Sequence, residues 1–374
     1  MVDRLEQVYH NIPICVAIPA YNRPAELDAL LASIMAQEAM PAEVLICEDA
    51  SPQREAIREV AQSWLSAFAT KGCNLRLIEN QENLGYDGNI RNIIEMASQP
   101  WVMLMGDDDL LLPDCIARAY AFVEHHPNVP VTSRSFVMFR NEDLSILGVS
   151  QYPPGDHVYT RSNSSPAMLF RTCGFVGGLI IRRDWAVSRA TDRYDGTLYY
   201  QIYLSACAFC EEGIGYIGHT IVGSRAGNPP QFGAAAKEKG IHIPGSYTPK
   251  GRAKMWASVL RIAREVGDHY HVDLYPAIRS ELMVQQSFHI FEMTVGAQRS
   301  DLQELKIEFT RLGLMDHPLP QALYWINLLA GRHAKHFYAL IRKWKRRRIS
   351  STADSLAKNL TDQLQAALKQ GSRH

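Results

Sequence analysis

The sequence predicts an α/β protein, with a mostly parallel sheet flanked by helices and a helical C-terminal region. Two observations carry that prediction. Through the first 125 residues, apolar runs of strand length alternate with apolar repeats at helical spacing. Beyond Gly251 almost everything reads as helix. A soft boundary there divides the chain into 1–250, a ligand-binding and catalytic domain, and 251–374, a helical region.

The elements follow in order. Ile14 to Ile18 is a short apolar strand. Pro24 opens a helix with Leu27, Leu30, Leu31 and Ile34 at helical spacing. Val44 to Cys47 reads as a second strand and Gln53 to Phe68 as a second helix. Leu75 to Ile78 is a third strand. Gly88 to Ala97 is a helix with Ile90, Ile93, Ile94 and Ala97 on one face. Trp101 to Met105 is a fourth strand, and Pro113 to His125 another helix. Strands and helices alternating at this spacing imply a parallel sheet covered on both faces. From Val129 the pattern loosens. Val131 to Phe139 and Gly178 to Ile181 are strand-like, and Ser224 to Lys250, rich in Gly, Pro and Ala, reads as a mobile loop suited to a lid.

Composition narrows the class. Of 374 residues, 47% are hydrophobic and 21% charged, which is ordinary globular usage. Lys plus Arg (39) equals Asp plus Glu (39), so net charge points to no partner. No apolar run is long enough to span a bilayer, and Met1 to Asn11 lacks the apolar stretch of a signal peptide. A cytosolic location is expected, with peripheral placement on the cytosolic face of the inner membrane as an option. The seven cysteines are scattered, and Cys207 and Cys210 form one CxxC with no second pair, so buried free thiols are expected.

Four polar signals sit at the carboxyl ends of four strands, where open α/β sheets bind ligands. Gly106-Asp107-Asp108-Asp109 follows the fourth strand. Adjacent carboxylates repel one another, and a hard divalent cation such as Mn²⁺ or Mg²⁺ relieves that repulsion while leaving positions open for phosphate oxygens. The alternative is a solvated turn capping the next helix. Pro19-Ala20-Tyr21-Asn22 ends the first strand, with Asn22 also suited to a helix cap. Glu48-Asp49-Ala50-Ser51 ends the second; a carboxylate there can accept from a base N–H or a ribose hydroxyl, or cap a helix. Asn83-Leu84-Gly85-Tyr86-Asp87-Gly88-Asn89 precedes a helix carrying Arg91. Its glycines let backbone approach a ligand, and Arg91 can meet phosphate. One nucleotide-diphosphate site accounts for all four signals together.

The order Pro-Ala-Tyr-Asn, an acidic pair before a small residue and Ser, Asn-x-Gly with a following Arg-Asn, and an Asp-rich run resembles the family 2 glycosyltransferases of GT-A fold, over about Ile14 to Ile217. Gly-Asp-Asp-Asp-Leu and Asn-Leu-Gly-Tyr-Asp-Gly-Asn look like the subgroup of abequosyltransferases and related O-antigen enzymes. The resemblance implies transfer of a hexose or deoxyhexose from a nucleotide-sugar donor to a hydroxyl of a glycan or lipid-linked oligosaccharide, in lipopolysaccharide or O-antigen synthesis. It places Pro19, Ala20, Tyr21, Asn22, Asp49, Asn83, Gly85, Arg91 and Asp107 around the donor. Against the family's Asp-x-Asp signature, Gly106 replaces the first Asp and Asp108 falls at the metal position. Asp107 to Asp109 also contains an Asp-x-Asp, a frame in which Asp107 or Asp109 shares the ion.

Inverting members need a general base for the acceptor hydroxyl. The Glu-Asp pair that commonly supplies it should fall near Tyr200-Gln201, where this sequence has no carboxylate. Asp195 is the nearest upstream candidate for the catalytic base, followed by Asp192; Asp195 serves equally as a helix cap. His219 and the loop Ser224 to Phe232 are placed to close over the donor. Rival readings are a non-catalytic nucleotide-sugar-binding module, which the missing pair favours, and a sugar nucleotidyltransferase. The latter is expected to carry a Gly-rich loop with Arg and Lys where this chain has Pro-Ala-Tyr-Asn.

Residues 331–350 hold Arg332, Lys335, Arg342, Lys343, Lys345, Arg346, Arg347 and Arg348 without an acid, and Trp325, Phe337, Tyr338, Leu340, Ile341 and Trp344 interleave with them. That pattern reads as an interfacial helix on an anionic membrane surface, with no nucleic acid expected. The tail from Gln363 is expected to fray.

Overall fold

The computed structural model describes residues 11–150, 155–348 and 359–366. Met1 to His10, residues 151–154 and 349–358, the tail 367–374 and the side chains of 342–348 lie outside the described residues. Among the described residues ten strands join one sheet: β1 (Ile12–Ala20), β2 (Pro41–Glu48), β3 (Asn74–Glu79), β4 (Trp101–Leu104), β5 (Leu110–Leu111), β6 (Val131–Arg140), β7 (Ile146–Ser150), β8 (His157–Tyr159), β9 (Leu179–Arg182) and β10 (Ile214–Ala226). The main path is β3-β2-β1-β4-β9-β6-β10-β5, with β7 on β6 and β8 on β10.

The first half is the parallel sheet the sequence calls for. β1 pairs parallel to β2 and β4, and β2 to β3. Residues Ile14 to Ile18 are fully buried, as a strand covered on both faces must be. The helices α1 (Pro24–Met35), α2 (Arg54–Thr70), α3 (Gly85–Met96) and α4 (Cys115–His125) supply that cover. Leu27, Leu30, Leu31 and Ile34 of α1 are all at 0% exposure, and α3 buries Ile90, Ile93 and Ile94. Trp64 Nε1 donates to Asp28 Oδ1 at 2.7 Å, tying α2 to α1. The second half of the sheet is mixed. β9 inserts antiparallel between β4 and β6, and β6 and β10 run parallel.

The chain steps from β1 outward to β2 and β3, then returns to place β4 on the other side of β1. The reversal leaves a crevice at the carboxyl ends of β1 and β4. Pro19-Ala20-Tyr21 and Gly106-Asp107-Asp108-Asp109 both emerge there.

Short helices α5 (Met168–Cys173), α6 (Arg183–Val187) and α7 (Tyr200–Glu211) surround β9 and lead into β10. The helical region follows as α8 (Pro249–Tyr270), α9 (Tyr275–Glu281), α10 (Ser287–Met293), α11 (Arg299–Arg311), α12 (Pro318–Ala330) and α13 (Ala334–Arg348). One hydrophobic core runs from β1 and α3 through α7 into α8 and the helices beyond. Cys207 and Cys210 belong to that core, and all seven cysteines are buried free thiols. The tail expected to fray from Gln363 packs instead, as far as it is described. Residues 359–366 are helical, and Leu360 and Leu364 bury against Leu110, Leu112, Val137 and Phe139. No helix among the described residues is long and apolar enough to cross a membrane.

Candidate active site

At the end of β1 the backbone turns through Asn22, which takes a left-handed conformation (φ 62°) that asparagine tolerates better than most residues. Its side chain makes no helix cap. The turn instead aims two donors at β4. The Tyr21 backbone N–H reaches Oδ2 of Asp107 at 2.9 Å, and Arg23 Nη1 reaches Oδ1 at 3.0 Å. The same Nη1 lies 3.0 Å from Asp108 Oδ2. Arg23 thus supplies positive charge between two of the three adjacent carboxylates. Its Nη2 donates to the Pro229 carbonyl at 2.7 Å, which joins this corner to the segment after β10.

The other two acids are held from β10. The Arg225 backbone N–H donates to Asp109 Oδ1 at 3.2 Å and its Nε to the Asp108 carbonyl at 2.8 Å. Asn228 Nδ2 donates to Asp108 Oδ2 at 2.9 Å. Burial pushes Asp107 up to about 7 against the neighbouring Arg23 cation, and it holds Asp109 well above the usual carboxylate range, with the Asp108 charge adding to the effect. The cluster therefore carries more negative charge than its buried surroundings favour.

Asp49 and the Asn83–Gly85 turn form the opposite wall. Asp49 Oδ1 accepts from Leu84 N at 2.9 Å and Asn80 Nδ2 at 2.8 Å, and Oδ2 from Gly85 N at 3.0 Å. Burial lifts its carboxyl to about 6. Asn83 Oδ1 also accepts from Gly85 N, at 2.9 Å. Gly85 has φ +76°, and a Cβ there would stand 2.6 Å from Oε1 of Glu238. Glu238 is itself buried. Its Oε1 accepts from Tyr86 N at 2.8 Å and Oε2 from Gly233 N at 2.6 Å. The first two amides of α3 are thus met by two carboxylates, one from the sheet and one from the 227–248 segment.

These groups enclose a cavity of about 370 Å³. Of the residues expected around the donor and metal, Pro19, Ala20, Tyr21, Asp49, Asn83, Gly85, Asp107, Asp108 and Asp109 line it. Sequence reasoning missed Arg23 and Phe175, and it gave no individual role to Arg225, Asn228, Phe232, Glu238 and Tyr247, which lie in the stretch expected to close over the donor. The segment expected to act as a lid, Ser224 to Lys250, supplies several of these.

Four expected residues stand elsewhere. Asn22 does not line the cavity; its carbonyl accepts from Gln53 Nε2 at 2.9 Å. Arg91 and Asp195, expected at opposite ends of the reaction, are partners of each other. Arg91 Nη1 bonds Asp195 Oδ1 and the Thr191 carbonyl, and Nη2 donates to Asp195 Oδ2 at 3.1 Å. Lys237 Nζ adds a bond to Asp195 at 2.9 Å. Arg91 comes six residues after the first residue of α3, about 9 Å along its axis, too far down to face a ligand at the N-terminal turn. His219 is exposed and lies outside the cavity lining.

The start of α7, where the resemblance placed a Glu-Asp pair, carries a different device. Asp87 of α3 accepts from Leu198 N and Tyr200 N, each at 2.8 Å, and caps the helix from outside. Gln201 turns its amide to the Gly174 carbonyl at 3.1 Å.

The acidic corner suits a divalent ion that shares its shell with phosphate. Among the described residues no three Asp, Glu, His or Cys side chains converge on one ion position. Mg²⁺ and Mn²⁺ at phosphate sites commonly take one or two carboxylates and leave the rest to water and phosphate oxygens. Asp108 with Asp109 beside it matches that carboxylate number, and an ion there would take over Asp108 Oδ2 from Arg23 and Asn228.

Residues 15–179 match the family model of Glycosyl transferase family 2. The abequosyltransferase RfbV of Salmonella typhimurium is 25% identical over 233 residues, covering 58% of this chain and 67% of that protein. An amylovoran biosynthesis glycosyltransferase, AmsE of Erwinia amylovora, is 25% identical over 126 residues; the chain spans 45% of its length. Among solved structures, S. aureus TarS 1–349 in complex with UDP-GlcNAc superposes with a TM-score of 0.58 at 13% identity, covering 90% of this chain and 91% of that one. At that identity the likeness is one of fold, and the fold is GT-A.

Proposed function

We infer, from a chain that carries a family 2 glycosyltransferase domain over residues 15–179, that it transfers a sugar from a nucleotide-diphosphate donor to a hydroxyl of a bacterial surface glycan of O-antigen type. The observation that supports this most is the convergence of Tyr21, Arg23, Asp107, Asp108, Asp109 and Arg225 on one cavity at the β1–β4 crevice. A nucleoside diphosphate needs an aromatic or apolar surface for its base, hydrogen-bond partners for its ribose and positive charge for its phosphates. Tyr21 and the Asp49–Gly85 wall answer the first two needs. Arg23 and Arg225 answer the third in part.

A Mn²⁺ or Mg²⁺ ion held by Asp108 with Asp109 would supply the remaining charge to the leaving diphosphate. Asp107 orients Arg23 and the Tyr21 amide beside it. The 227–248 segment, fastened through Arg23, Asn228 and Glu238, would exclude water from the donor. Asp195, bound by Arg91 and Lys237, has a structural role in this reading and is not the general base. The likeness to an abequosyltransferase favours a deoxyhexose donor, and a lipid-linked oligosaccharide is the acceptor we propose.

Calorimetric titration with UDP, GDP, CDP and dTDP, each with Mn²⁺ and with EDTA, tests the site. One nucleotide should bind in a metal-dependent way, and Asp108→Ala should abolish the binding. Failure of all four to bind would sink the reading. A second reading, a non-catalytic donor-binding module, is favoured by the neutral Gln201 at the start of α7. It would gain if the matched nucleotide sugar bound tightly yet neither transferred nor hydrolysed with any acceptor glycan.

A further inference from the structure

Helix α12, Pro318–Ala330, contains no charged side chain although it lies at the surface. Its inner face is pinned. Leu323, Tyr324 and Asn327 are buried, Asn327 Nδ2 donates to Thr294 Oγ1 at 3.1 Å and to the Phe291 carbonyl at 2.5 Å, and the Tyr338 hydroxyl of α13 donates to Asn327 Oδ1 at 3.0 Å. That clasp fixes the helix about its axis, so the face it turns outward is a property of the fold. The exposed residues are Pro318, Gln321, Ala322, Trp325 and Leu329, of which Ala322, Trp325 and Leu329 form one apolar stripe. Trp325 is 49% exposed and Leu329 77%; on α13, Leu340 is 67% exposed and stands opposite the buried Tyr338. An uncharged surface helix that exposes a large apolar stripe favours an apolar environment on its outer side.

Charge indicates which environment. From His317 to Ala353 the chain carries no Asp or Glu, and the Arg and Lys of 332–348 all fall in this stretch. Arg332 and Lys335 are exposed. Lys306 of α11 holds its ammonium 5.3 Å from the centre of the Trp325 ring and 4.9 Å from that of Tyr324. A second copy of the chain meeting this face across a two-fold axis would set one basic run against the other. Anionic headgroups meet the same cations favourably, and indole rings prefer the headgroup level.

We propose that α12 lies in the surface of an anionic lipid bilayer, with Leu329 inserted below the headgroups, Trp325 at their level and Arg332 and Lys335 in contact with them. The sequence centres the membrane contact on 331–350 and already counts Trp325 among its aromatic residues; the geometry of α12 extends the contact to the rest of that helix as the inserting element. This surface is separate from the donor cavity, so the proposal stands or falls independently of the transferase reading.

The test is co-sedimentation of the full chain with vesicles of phosphatidylcholine, with and without phosphatidylglycerol. The protein should pellet with the anionic vesicles only, and added salt should weaken the binding. Leu329→Ser with Trp325→Ser, both on the exposed face, should weaken it about tenfold or more. Arg332→Glu and Lys335→Glu should each weaken it about fivefold or more. Circular dichroism and thermal denaturation of the same variants confirm that they fold. Equal pelleting of the wild-type and serine variants would overturn the insertion. So would a concentration-dependent dimer that Leu329→Ser dissolves in a protein that ignores vesicles.

Discussion

Arg23 Nη1 donates to Oδ1 of Asp107 at 3.0 Å, across 84 residues of chain, and the same nitrogen sits 3.0 Å from Oδ2 of Asp108. The pair is largely withdrawn from water, with side-chain exposures of 15% and 7%. A guanidinium in that position supplies the kind of positive charge that the proposed divalent ion would also supply. Arg23→Ala should therefore cost about 3 kcal/mol in metal-free buffer, because it leaves buried carboxylates without their cation. Mn²⁺ should restore more stability to the variant than it adds to the wild type. Thermal denaturation with Mn²⁺ and with EDTA reads both numbers. An equal Mn²⁺ increment in the two proteins would show that the guanidinium and the ion do not share a role.

Asp195 offers a contrast. Its carboxylate is 5% exposed and takes both Arg91 nitrogens and Lys237. Asp195→Asn should destabilise the protein by about 2 kcal/mol, the scale of lost hydrogen bonds to charged groups. Nucleotide affinity should stay within about twofold, since neither partner lines the cavity. A general base would behave the other way, with turnover falling about a hundredfold or more and stability nearly unchanged. Chemical denaturation alongside turnover separates the two outcomes.

The parallel half of the sheet and three of the cavity's walls were legible because each rests on local pattern. β1, β2 and β4 are apolar runs, and the polar residues that end them face the crevice whatever the rest of the chain does. The fourth wall was not legible in the same way. Arg225, Asn228 and Glu238 reach Asp108, Asp109 and α3 across more than a hundred residues, and no spacing rule links them. Two signals were nonetheless present. Arg23 is a cation placed between the β1 end and a helix-opening proline, and Glu238 is the one acid in the stretch from Ser224 to Lys250. Arg91 was misplaced for a geometric reason. It follows the Asn-x-Gly motif closely in sequence, but a helix carries it more than a turn away from the end where that motif sits.

Asp87 gives the pH behaviour a clear sign. It accepts two backbone N–H bonds at the start of α7, yet burial pushes its carboxyl from an ordinary 3.8 up to about 7. Between those values the folded chain holds a proton that the unfolded chain has released. The contribution to stability is therefore full below about pH 4 and is lost as pH rises through about 7. Asp87→Asn removes that dependence while leaving an oxygen to accept one of the two amides. The wild type should exceed the variant in stability by more at about pH 5 than at about pH 8. Urea midpoints at both values decide it, and a gap that does not change with pH would refute the assignment.

The 227–248 segment is held over the cavity by Glu238, and Gly85 is the residue that lets it close. Glu238 Oε1 meets Tyr86 N at 2.8 Å, and a Cβ at position 85 would stand 2.6 Å from that oxygen. Gly85→Ala should therefore act on the segment as well as on its own turn, where φ is +76°. Loosening it should expose 227–248 to limited proteolysis and weaken donor binding about tenfold. Glu238→Ala should do the same, since it leaves the Gly233 and Tyr86 amides without acceptors. Glu238→Gln keeps one carbonyl oxygen for those amides and should fall between Ala and the wild type in both cleavage rate and nucleotide affinity. That graded order is the mark of a latch. If Gln instead bound donor and resisted protease like the wild type but lost about a hundredfold in turnover, the carboxylate would be taking the acceptor's proton.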